Sequence, residues 1–506
     1  MKKLWRFKGG IKLPGFKSIS NLSEIKKLPI PSTIILPLRQ HIGESAEPLV
    51  EIGEKVFKGQ PVATSNSFIS ASVHASTSGT VVDIAKRTIP HQSGVSEMCV
   101  VIETDGKDEW HPNIEANSNP ENLSADEIRA RIREAGIVGL GGAVFPSAAK
   151  LKPTRIIDTL IINGIECEPY ITCDDALMRT RADNIICGVL LLRRLLNPTE
   201  CIIGVEDNKP EAIALLKASL ERFKEQGVGS VSVIDVVAVP TIFPAGGEKQ
   251  LIKVLTGKEV PMNGLPYEVG VVCLNVGTTA AIYDAIYHGQ PLVSRLITVT
   301  GPLIKKPANY DVLIGTPVED LLSAAGGVNS EKDKLIMGGP MMGQVLPHAK
   351  VPVVKATNCI LVESIDKNLK TNVMPCIRCG KCASVCPINL LPQQLYWHAR
   401  EKSFDKLTHY NLSDCIECGC CAVVCPSKIP LVHYFRFAKS ENKEHEVKMK
   451  FSELSRIRSQ VRDARLERIK REQEERKAKR KAERLKKKIE KDIVKNNDVT
   501  DKASVG

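Results

Sequence analysis

The sequence predicts a multidomain protein of α/β and β modules that ends in a charged helical tail. Three observations support this fold class. Short strand-like runs with Gly turns fill the first hundred residues, and apolar runs alternate with helical runs over about 124–290. The third observation is a doubled pattern of closely spaced cysteines near residue 400. A chain of 506 residues is long enough to hold several domains.

The doubled cysteine pattern is the most specific feature. Its members are Cys376, Cys379, Cys382 and Cys386 before Pro387, and Cys415, Cys418, Cys421 and Cys425 before Pro426. The spacing C-x2-C-x2-C-x3-C is that of two-cluster bacterial ferredoxins, in which the fourth cysteine ligates the other cluster. A zinc site or a disulfide framework is the alternative, but zinc sites usually use paired C-x2-C hooks. We interpret Cys420 as a thiol that ligates neither cluster.

The spacing therefore predicts two [4Fe–4S] clusters with exchanged fourth ligands. The predicted ligands are Cys376, Cys379, Cys382 and Cys425 for one cluster, and Cys415, Cys418, Cys421 and Cys386 for the other.

Charge and hydropathy exclude some classes of protein. The net charge is +12, and residues 456–495 contribute about +10 of it, with 18 Lys or Arg against 8 Asp or Glu. The rest of the chain is nearly neutral, so nucleic acid is not an expected partner. No apolar run reaches the roughly 18–20 residues of a membrane span. The N-terminus lacks the apolar core of a signal peptide, so we expect no export and a reducing compartment. The tail is either a solvated extension or an electrostatic tether to anionic headgroups or an acidic partner.

The run 48–84 resembles the barrel-sandwich fold of biotinyl and lipoyl carriers, with turns at Gly53, Gly59 and Gly79. The expected hairpin tip at 65–68 has no lysine to modify, so a structural role is favoured over a carrier role. A polar linker (112–124) follows. Ser124 then begins a helix with a capping-box pattern to Glu127 and a Gly stop at Gly136.

A parallel sheet with ligands at the carboxyl ends of its strands is expected next. The candidate strands are RIIDTLIIN, ECIIGVED, VSVIDVVAV and GVVCLNV, and the helical runs include NIICGVLLLRRLL and KPEAIALLKASLERFKEQG. A smaller β-rich unit over 291–350 contains the strand-like RLITVTG, the helix TPVEDLLSAAG and the Gly-rich GGPMMG (338–343).

A glycine-dense loop covers 136–150. Glycines allow a backbone to approach a phosphate or a flat ring closely, because no Cβ intervenes. The loop resembles the flavin loop of the NADH-oxidising 51-kDa-type subunit of complex I and related hydrogenases. The matching residues are Gly136, Gly139, Gly141, Gly142, Ala143, Phe145, Pro146 and Lys150, while Val138, Leu140 and Val144 replace two family arginines and a glycine. Three further stretches, 162–169, 244–250 and 274–278, resemble motifs of the same family in the same order.

This resemblance implies an FMN site and NAD(H) as a substrate. Gly139, Gly141, Gly142 and Lys150 would face the FMN phosphate and ring; Asn163, Asn275 and Thr278 would hydrogen-bond the flavin; Glu166, Gly247 and Glu248 would line the nicotinamide side. Among these, Glu166 and Glu248 are the expected catalytic residues.

The order of parts resembles the C-subunit family of the bacterial Rnf (Rsx) electron transport complex. The expected modules are a barrel-sandwich-like domain (1–115), an FMN/NADH domain (124–290), a soluble-ligand-binding β-grasp unit (291–350), a double [4Fe–4S] ferredoxin-type module (366–436) and a basic helical or disordered tail (445–506).

The resemblance to this family implies a translocase-type oxidoreductase that couples electron transfer between ferredoxin and NAD to ion translocation, of which this chain would be one part. The expected partners are the other subunits of the complex and ferredoxin or an iron–sulfur partner protein. The expected location is peripheral, on the cytoplasmic side of the bacterial inner membrane. The alternative is a flavin-free electron relay and assembly adaptor in such a complex.

Overall fold

This computed structural model describes residues 2–117, 119–327, 333–364 and 373–501, with side chains described as far as residue 493. The chain divides into two units, residues 1–435 and residues 436–506, and each is described by itself. Parts of three predicted modules, at 328–332, 366–372 and 502–506, lie outside the described residues.

Seven of the eight short strands in the N-terminal region form two sheets. Their bounds are β1 (Lys26–Lys27), β2 (Thr33–Pro37), β3 (Glu47–Pro48), β4 (Lys55–Val56), β5 (Pro61–Thr64), β6 (Val73–His74), β7 (Gly79–Thr88) and β8 (Ser96–Thr104). One sheet has the order β2–β8–β7–β4 and the other β3–β5–β6. Ile34, Leu36, Val100 and Ile102 are fully buried, as the alternating pattern requires. The predicted fold of short strands is confirmed.

The α/β module follows. Its elements are α1 (Ala125–Glu134), α2 (Ser147–Lys150), β9 (Thr159–Gly164), α3 (Cys173–Thr180), α4 (Ala182–Leu196), β10 (Glu200–Glu206), α5 (Pro210–Glu225), β11 (Ile234–Val239), α6 (Glu248–Thr256), β12 (Val271–Asn275) and α7 (Val276–Tyr287). The predicted capping box of α1 is present, with Ser124 and Glu127 bonded reciprocally. Gly136 follows the end of this helix in the left-handed region, with φ +64°.

The strands of this module are parallel, in the order β11–β10–β9–β12. Leu160 and Ile162 of β9 pack into the core that holds α4, α5 and α7. Ile161 points to the opposite face and packs with Leu251 of α6. Helices therefore cover both faces, so polar side chains reach solvent mainly at the ends of the strands.

A mixed sheet forms the third module. Its elements are β13 (Ser294–Thr300), β14 (Ala308–Leu313), α8 (Val318–Ala324), β15 (Lys334–Met337), β16 (Gln344–Val345) and β17 (Cys359–Glu363). The strand order is β1–β14–β13–β17–β15–β16. The sheet therefore extends beyond the expected limit at residue 350 and takes in β1 from the N-terminal segment. Strand β17 lies between β13 and β15, an order that the sequence of elements along the chain does not reveal.

The cysteine module has a duplicated backbone. It contains α9 (Lys381–Ser384), α10 (Pro392–Arg400), α11 (Phe404–His409), α12 (Cys420–Val423) and the first turn of α13 (Leu431–Asp501). The left-handed residues recur in pairs at matching places of the two cysteine motifs: Arg378 and Glu417, Gly380 and Gly419, and Asn389 and Lys428. The repeat in sequence is thus a repeat in conformation.

The second unit is the helical tail. Every side chain from 446 to 493 is exposed, as the charged pattern predicts. Local ion pairs such as Glu453–Arg456 (2.7 Å) join residues one helical turn apart on this exposed surface. Among the described residues, no helix is long and apolar enough to cross a membrane.

A buried lysine links the first three modules. Lys355 is 1% exposed. Its Nζ donates to the carbonyl oxygens of Ser72 (2.8 Å) and Gly136 (2.7 Å). A Cβ on Gly136 would lie 2.9 Å from this Nζ and 2.3 Å from the Ser72 oxygen. Only a glycine at this position therefore allows the Lys355 ammonium and the Ser72 carbonyl to lie so close to the main chain. Burial lowers the pKa of Lys355 to about 7.

This lowered pKa predicts a pH dependence of stability. Between about pH 7 and pH 10.5 the unfolded chain binds the proton and the folded chain does not, so stability rises with pH by at most about 1.4 kcal/mol per unit. Lys355→Met should remove this rise, whereas Lys350→Met at an exposed site should keep it. The measurement is the melting temperature of the three proteins against pH, and parallel curves for all three would contradict the assignment.

Candidate functional site

The carboxyl edge of the parallel sheet carries the polar side chains predicted to bind a flavin. Asn163 and Asn275 lie at the ends of the neighbouring strands β9 and β12 and are partners in register. Asn163 Nδ2 donates to the Gly246 carbonyl (2.9 Å), and its Oδ1 accepts from the Ile165 amide (3.0 Å). Asn275 Oδ1 caps α7 by accepting from the Gly277 amide (2.8 Å). The two side chains therefore tie the loops at this edge to the sheet, where open α/β sheets bind ligands.

The glycine-rich loop passes over this edge and is fixed from below. The Leu140 amide donates to Thr278 Oγ1 (2.9 Å), and Thr278 is fully buried. Gly141 and Gly142 are exposed. Gly142 has φ +109°, and a Cβ there would have no heavy atom within 4 Å. The outer surface of the loop is thus bare main chain beside open space, which suits the close approach of a flat ring or a phosphate.

The three departures from the family pattern point into the protein. Val138, Leu140 and Val144 are 0%, 7% and 9% exposed and belong to the main hydrophobic core. Their side chains therefore do not fill the space above the loop. Val144 has φ +49°, an unfavourable conformation for a β-branched residue, at a position where the family has glycine.

The charged groups predicted for this site lie together. Lys150, the last residue of α2, forms an ion pair with Glu248, the first residue of α6. Gly247 is the N-cap residue of α6 and has no side chain to cap it. Both charged side chains are partly exposed, so the pair itself contributes only about 0–1 kcal/mol. The two groups are available to a bound anion or to a nucleotide.

Glu166 lies at the inner end of the site among other acidic groups. One of its oxygens accepts from the Asp174 amide (2.8 Å), and the other is buried with no hydrogen-bond partner in the described part of the chain. Ligand atoms of Glu166, Cys173 and Asp174 lie within 4.8 Å of one another. Burial raises the pKa of Glu166 to about 7, and the charges of Lys17 and Lys209 oppose that rise.

Lys17 is a residue that no sequence motif singled out. Its Nζ donates to three carbonyl oxygens, those of Glu166 (2.7 Å), Glu168 (3.0 Å) and Ile171 (2.7 Å). Burial lowers its pKa, and Glu166 opposes the shift. One ammonium group from the N-terminal segment thereby fixes the loop that carries both glutamates. Its partners lie about 150 residues away, so no local pattern announces it.

Glu168 extends the site toward the mixed sheet. Its carboxylate accepts from the amides of Met342 (2.7 Å) and Met341 (3.2 Å) in the GGPMMG loop. Burial raises the pKa of Glu168 to about 7, although these amides lower it. The Met341 carbonyl lies against Gly419, where a Cβ would meet it at 3.1 Å. The loop that carries Glu166 and Glu168, called the glutamate loop below, is therefore connected to the cysteine module through the Glu168 side chain and the main chain of Met341.

The eight predicted cysteine ligands line two cavities. Cys376, Cys379, Cys382 and Cys425 surround the first, together with Ile377, Tyr396, Pro426, Ile429 and Leu431 among its lining residues. Cys386, Cys415, Cys418 and Cys421 surround the second, together with Pro387, Leu390, Ile416, Val432 and Phe435. Each cavity thus offers four sulfur donors in an apolar surround, the donor type that suits iron–sulfur clusters. The grouping is the one that exchange of the fourth cysteine predicts.

Cys420 also borders the second cavity. It is fully buried and packs with Phe243 and Cys418. Four other cysteines already surround this cavity, which is enough for one cluster and favours a non-ligating role for Cys420. That role stays a prediction.

The residues of the sheet edge fit a flavin nucleotide, and those of the cavities fit iron–sulfur clusters. At the edge, the fit consists of a glycine surface with open space above Gly142, a Lys150–Glu248 pair and the buried, unpartnered oxygen of Glu166. Thr278 is already bonded to the loop, so its direct contact with a flavin stays a prediction.

Four family models match the chain, each over one module. They are the RnfC barrel sandwich hybrid domain (5–107), the Nuo51 FMN-binding domain (132–284), the SLBB domain (296–345) and the 4Fe-4S dicluster domain (375–429). These matches support FMN and iron–sulfur clusters as the cofactors of the corresponding domains.

Curated relatives decide the family. The chain is 43% identical over 470 residues to the C subunit of the ion-translocating oxidoreductase complex of Haemophilus influenzae, covering 92% of this chain and 69% of the relative. The chain belongs to the C-subunit family of ion-translocating oxidoreductase complexes.

Other members of the family are also similar over most of this chain, and they are longer than it. The C subunit of Pseudomonas aeruginosa is 46% identical over 484 residues, which is 94% of this chain and 60% of the relative. The chain thus spans about three fifths of the length of the first curated relatives. Among solved structures, an NAD+-reducing [NiFe]-hydrogenase in the H2-reduced state aligns over 65% of this chain and 65% of that chain, with 18% identity and a TM-score of 0.46.

Removal of the Lys17 ammonium should loosen the glutamate loop. Lys17→Met leaves three carbonyl groups without their donor, and each buried unsatisfied group costs about 1–3 kcal/mol when no water replaces the partner. We expect a loss of stability of about 2–4 kcal/mol. The measurement is the melting temperature. Lys12→Met, at an exposed lysine of the same segment, should not change it. Equal behaviour of the two variants would contradict the role of Lys17.

Proposed function

We propose that this chain is the NAD(H)-reactive subunit of a membrane complex that couples electron transfer between ferredoxin and NAD to ion translocation. The observation that carries the proposal is the continuity of the two candidate sites. The carboxylate of Glu168 binds the amides of Met341 and Met342, and the carbonyl of Met341 lies against Gly419 between the ligands Cys418 and Cys421. A site that accepts a hydride and a site that stores single electrons would thereby be in contact.

A flavin accepts two electrons as a hydride and passes them on singly, which is the conversion that an NADH-to-cluster route needs. The residues of this chain supply the binding and orientation. The main chain at Gly139, Gly141 and Gly142, with Lys150, would hold the FMN phosphate and ring. Asn163 and Asn275 already fix the loops around that space, and Thr278 supports the glycine-rich loop from below.

The acidic residues would lie on the nicotinamide side. Gly247 leaves the start of α6 without a side-chain cap, and Glu248 places a carboxylate beside it. Glu166 presents one buried oxygen without a partner in the described chain, and its pKa of about 7 lets it hold or release a proton at neutral pH. These features support Glu166 and Glu248 as the residues that position the nucleotide.

Two [4Fe–4S] clusters would complete the route. One would be held by Cys376, Cys379, Cys382 and Cys425, and the other by Cys386, Cys415, Cys418 and Cys421. The two four-thiol cavities and the duplicated backbone support this assignment. Low solvent exposure and hydrogen bonds to sulfur, such as that from the Leu390 amide to Cys386 Sγ (3.3 Å), are the means by which the chain would tune the second cluster.

The partners would be the integral and peripheral subunits of the complex and ferredoxin or an iron–sulfur protein. The chain would act as a peripheral protein on the cytoplasmic side of the bacterial inner membrane. The name of the relatives, a subunit of an ion-translocating oxidoreductase complex, supports the presence of partner subunits.

The cluster assignment predicts an iron content. Wild-type protein reconstituted without oxygen should contain about eight iron atoms and eight sulfides per chain, the content of two cubanes. Cys420→Ser should keep that content, whereas Cys421→Ser should lower it. The measurement is iron and acid-labile sulfide per chain. A content near four in wild type, or a loss in Cys420→Ser equal to that in Cys421→Ser, would contradict the assignment.

The flavin assignment predicts a visible flavin band that NADH bleaches. Glu248→Ala should slow the bleaching about tenfold or more, because a charge beside the nucleotide is lost, while leaving the iron content unchanged. Glu259→Ala is the control, since this glutamate is exposed and pairs with Lys253. Anaerobic stopped-flow absorption measures the rates. Protein that carries clusters but releases no flavin on denaturation would instead indicate the flavin-free relay and adaptor.

A further inference from the structure

The N-terminal segment 5–17 runs across the junction of the other modules before the barrel strands begin. The Trp5 amide donates to the Val254 carbonyl near the end of α6 (2.9 Å). Ile11 and Phe243 exchange main-chain hydrogen bonds of 2.8 and 2.9 Å. Further along, the Gly15 carbonyl accepts from the Tyr170 amide (2.8 Å), and Lys17 follows. The segment is thus fastened to the α/β module at both ends and in the middle.

Between these fastenings the segment touches the loop of one predicted cluster ligand. The Gly10 amide donates to the Val385 carbonyl (3.0 Å). A Cβ on Gly9 would lie 2.5 Å from the Val385 oxygen and 2.7 Å from the Cys386 oxygen. Gly9 has φ +71° and Gly10 has φ +78°, so both also need the left-handed region. The approach is possible only for glycine.

An apolar contact surrounds this approach. Phe243, Cys418 and Cys420 are buried together, with Ile11 and Val385 packed against them. The cavity of Cys386, Cys415, Cys418 and Cys421 is therefore on the side of the cysteine module that faces the α/β module. In the other set, Cys379 is exposed and the remaining three are partly buried.

We infer that residues 5–17 form a strap that fixes the Cys386, Cys415, Cys418 and Cys421 set against the α/β module, with Gly9 as a positioning residue. The strap also carries Lys17, so a single segment holds the glutamate loop and this cysteine set in a constant relation. Its consequence, that this set is the nearer one to the flavin site, rests on the proposed function.

Gly9→Ala tests the inference against a matched control. Gly106 has φ +72°, almost that of Gly9, but a Cβ there would meet nothing within 4 Å. Both substitutions carry the same backbone strain, and only Gly9→Ala breaks the close approach. The full-length, reconstituted proteins are compared in hydrogen exchange and in anaerobic stopped flow with NADH.

In Gly9→Ala, we expect faster amide exchange in the peptides that cover 5–13 and 380–390. Bleaching of the flavin by NADH should be unchanged, while the following bleaching of the iron–sulfur absorption slows severalfold, since the rate of electron transfer falls as the donor and acceptor move apart. Gly106→Ala should match wild type in both. If Gly9→Ala does not accumulate, Gly10→Ala replaces it, because its Cβ would meet the Phe243 oxygen at the milder distance of 2.9 Å.

If amide exchange in Gly9→Ala equals that of wild type, the inference that residues 5–17 form a strap is overturned. If amide exchange is faster but the iron–sulfur absorption bleaches at the wild-type rate, the claim that the Cys386, Cys415, Cys418 and Cys421 set is the nearer one to the flavin site is overturned. Failure of the proposed function gives a different result, since protein without a flavin shows no NADH response at all while the exchange comparison still reports on the strap.

Discussion

The carboxyl edge of the parallel sheet depends on one buried ammonium group. Lys17 binds the carbonyl oxygens of Glu166, Glu168 and Ile171, and these carbonyls lie in a loop outside the strands. With the loop held in this way, Glu166 faces the other acidic groups of the site, and Glu168 reaches the amides of Met341 and Met342. A buried cation is costly unless several oxygens solvate it, so the three contacts explain how the lysine persists there.

The same edge presents main chain rather than side chains above the glycine-rich loop. Val138 and Leu140, which stand where the 51-kDa-type flavin loop resembled by this sequence has arginines, carry apolar side chains that belong to the core. The surface above the loop is left to glycines, and Lys150 is the nearby cation, already paired with Glu248. In the proposed FMN site, electrostatic attraction for a phosphate would therefore be weaker than in a site with arginines, and main-chain N–H groups would supply more of the binding.

Much of the fold follows from local pattern. The capping box at Ser124, the four parallel strands and the cysteine spacing are all readable because the residues that define them are neighbours in sequence. Asn163 and Asn275 could be placed together because the carboxyl ends of parallel strands share an edge. Three features could not be predicted from local pattern: the places of β1 and β17 in the mixed sheet, the hydrogen bonds of Lys17, and the close approach of Gly9 to Val385. Each depends on a partner more than 50 residues away.

The central claim is that two sets of thiols hold two clusters, and that the set of Cys386, Cys415, Cys418 and Cys421 is the nearer one to the proposed flavin site. Iron anomalous scattering from crystals of the anaerobic holoprotein tests it most directly. The account predicts two iron sites, one within Cys386, Cys415, Cys418 and Cys421 on the side of Phe243 and Met341, and one within Cys376, Cys379, Cys382 and Cys425 farther from them. A single iron site, or a cluster that takes Cys386 together with Cys376, Cys379 and Cys382, would contradict it.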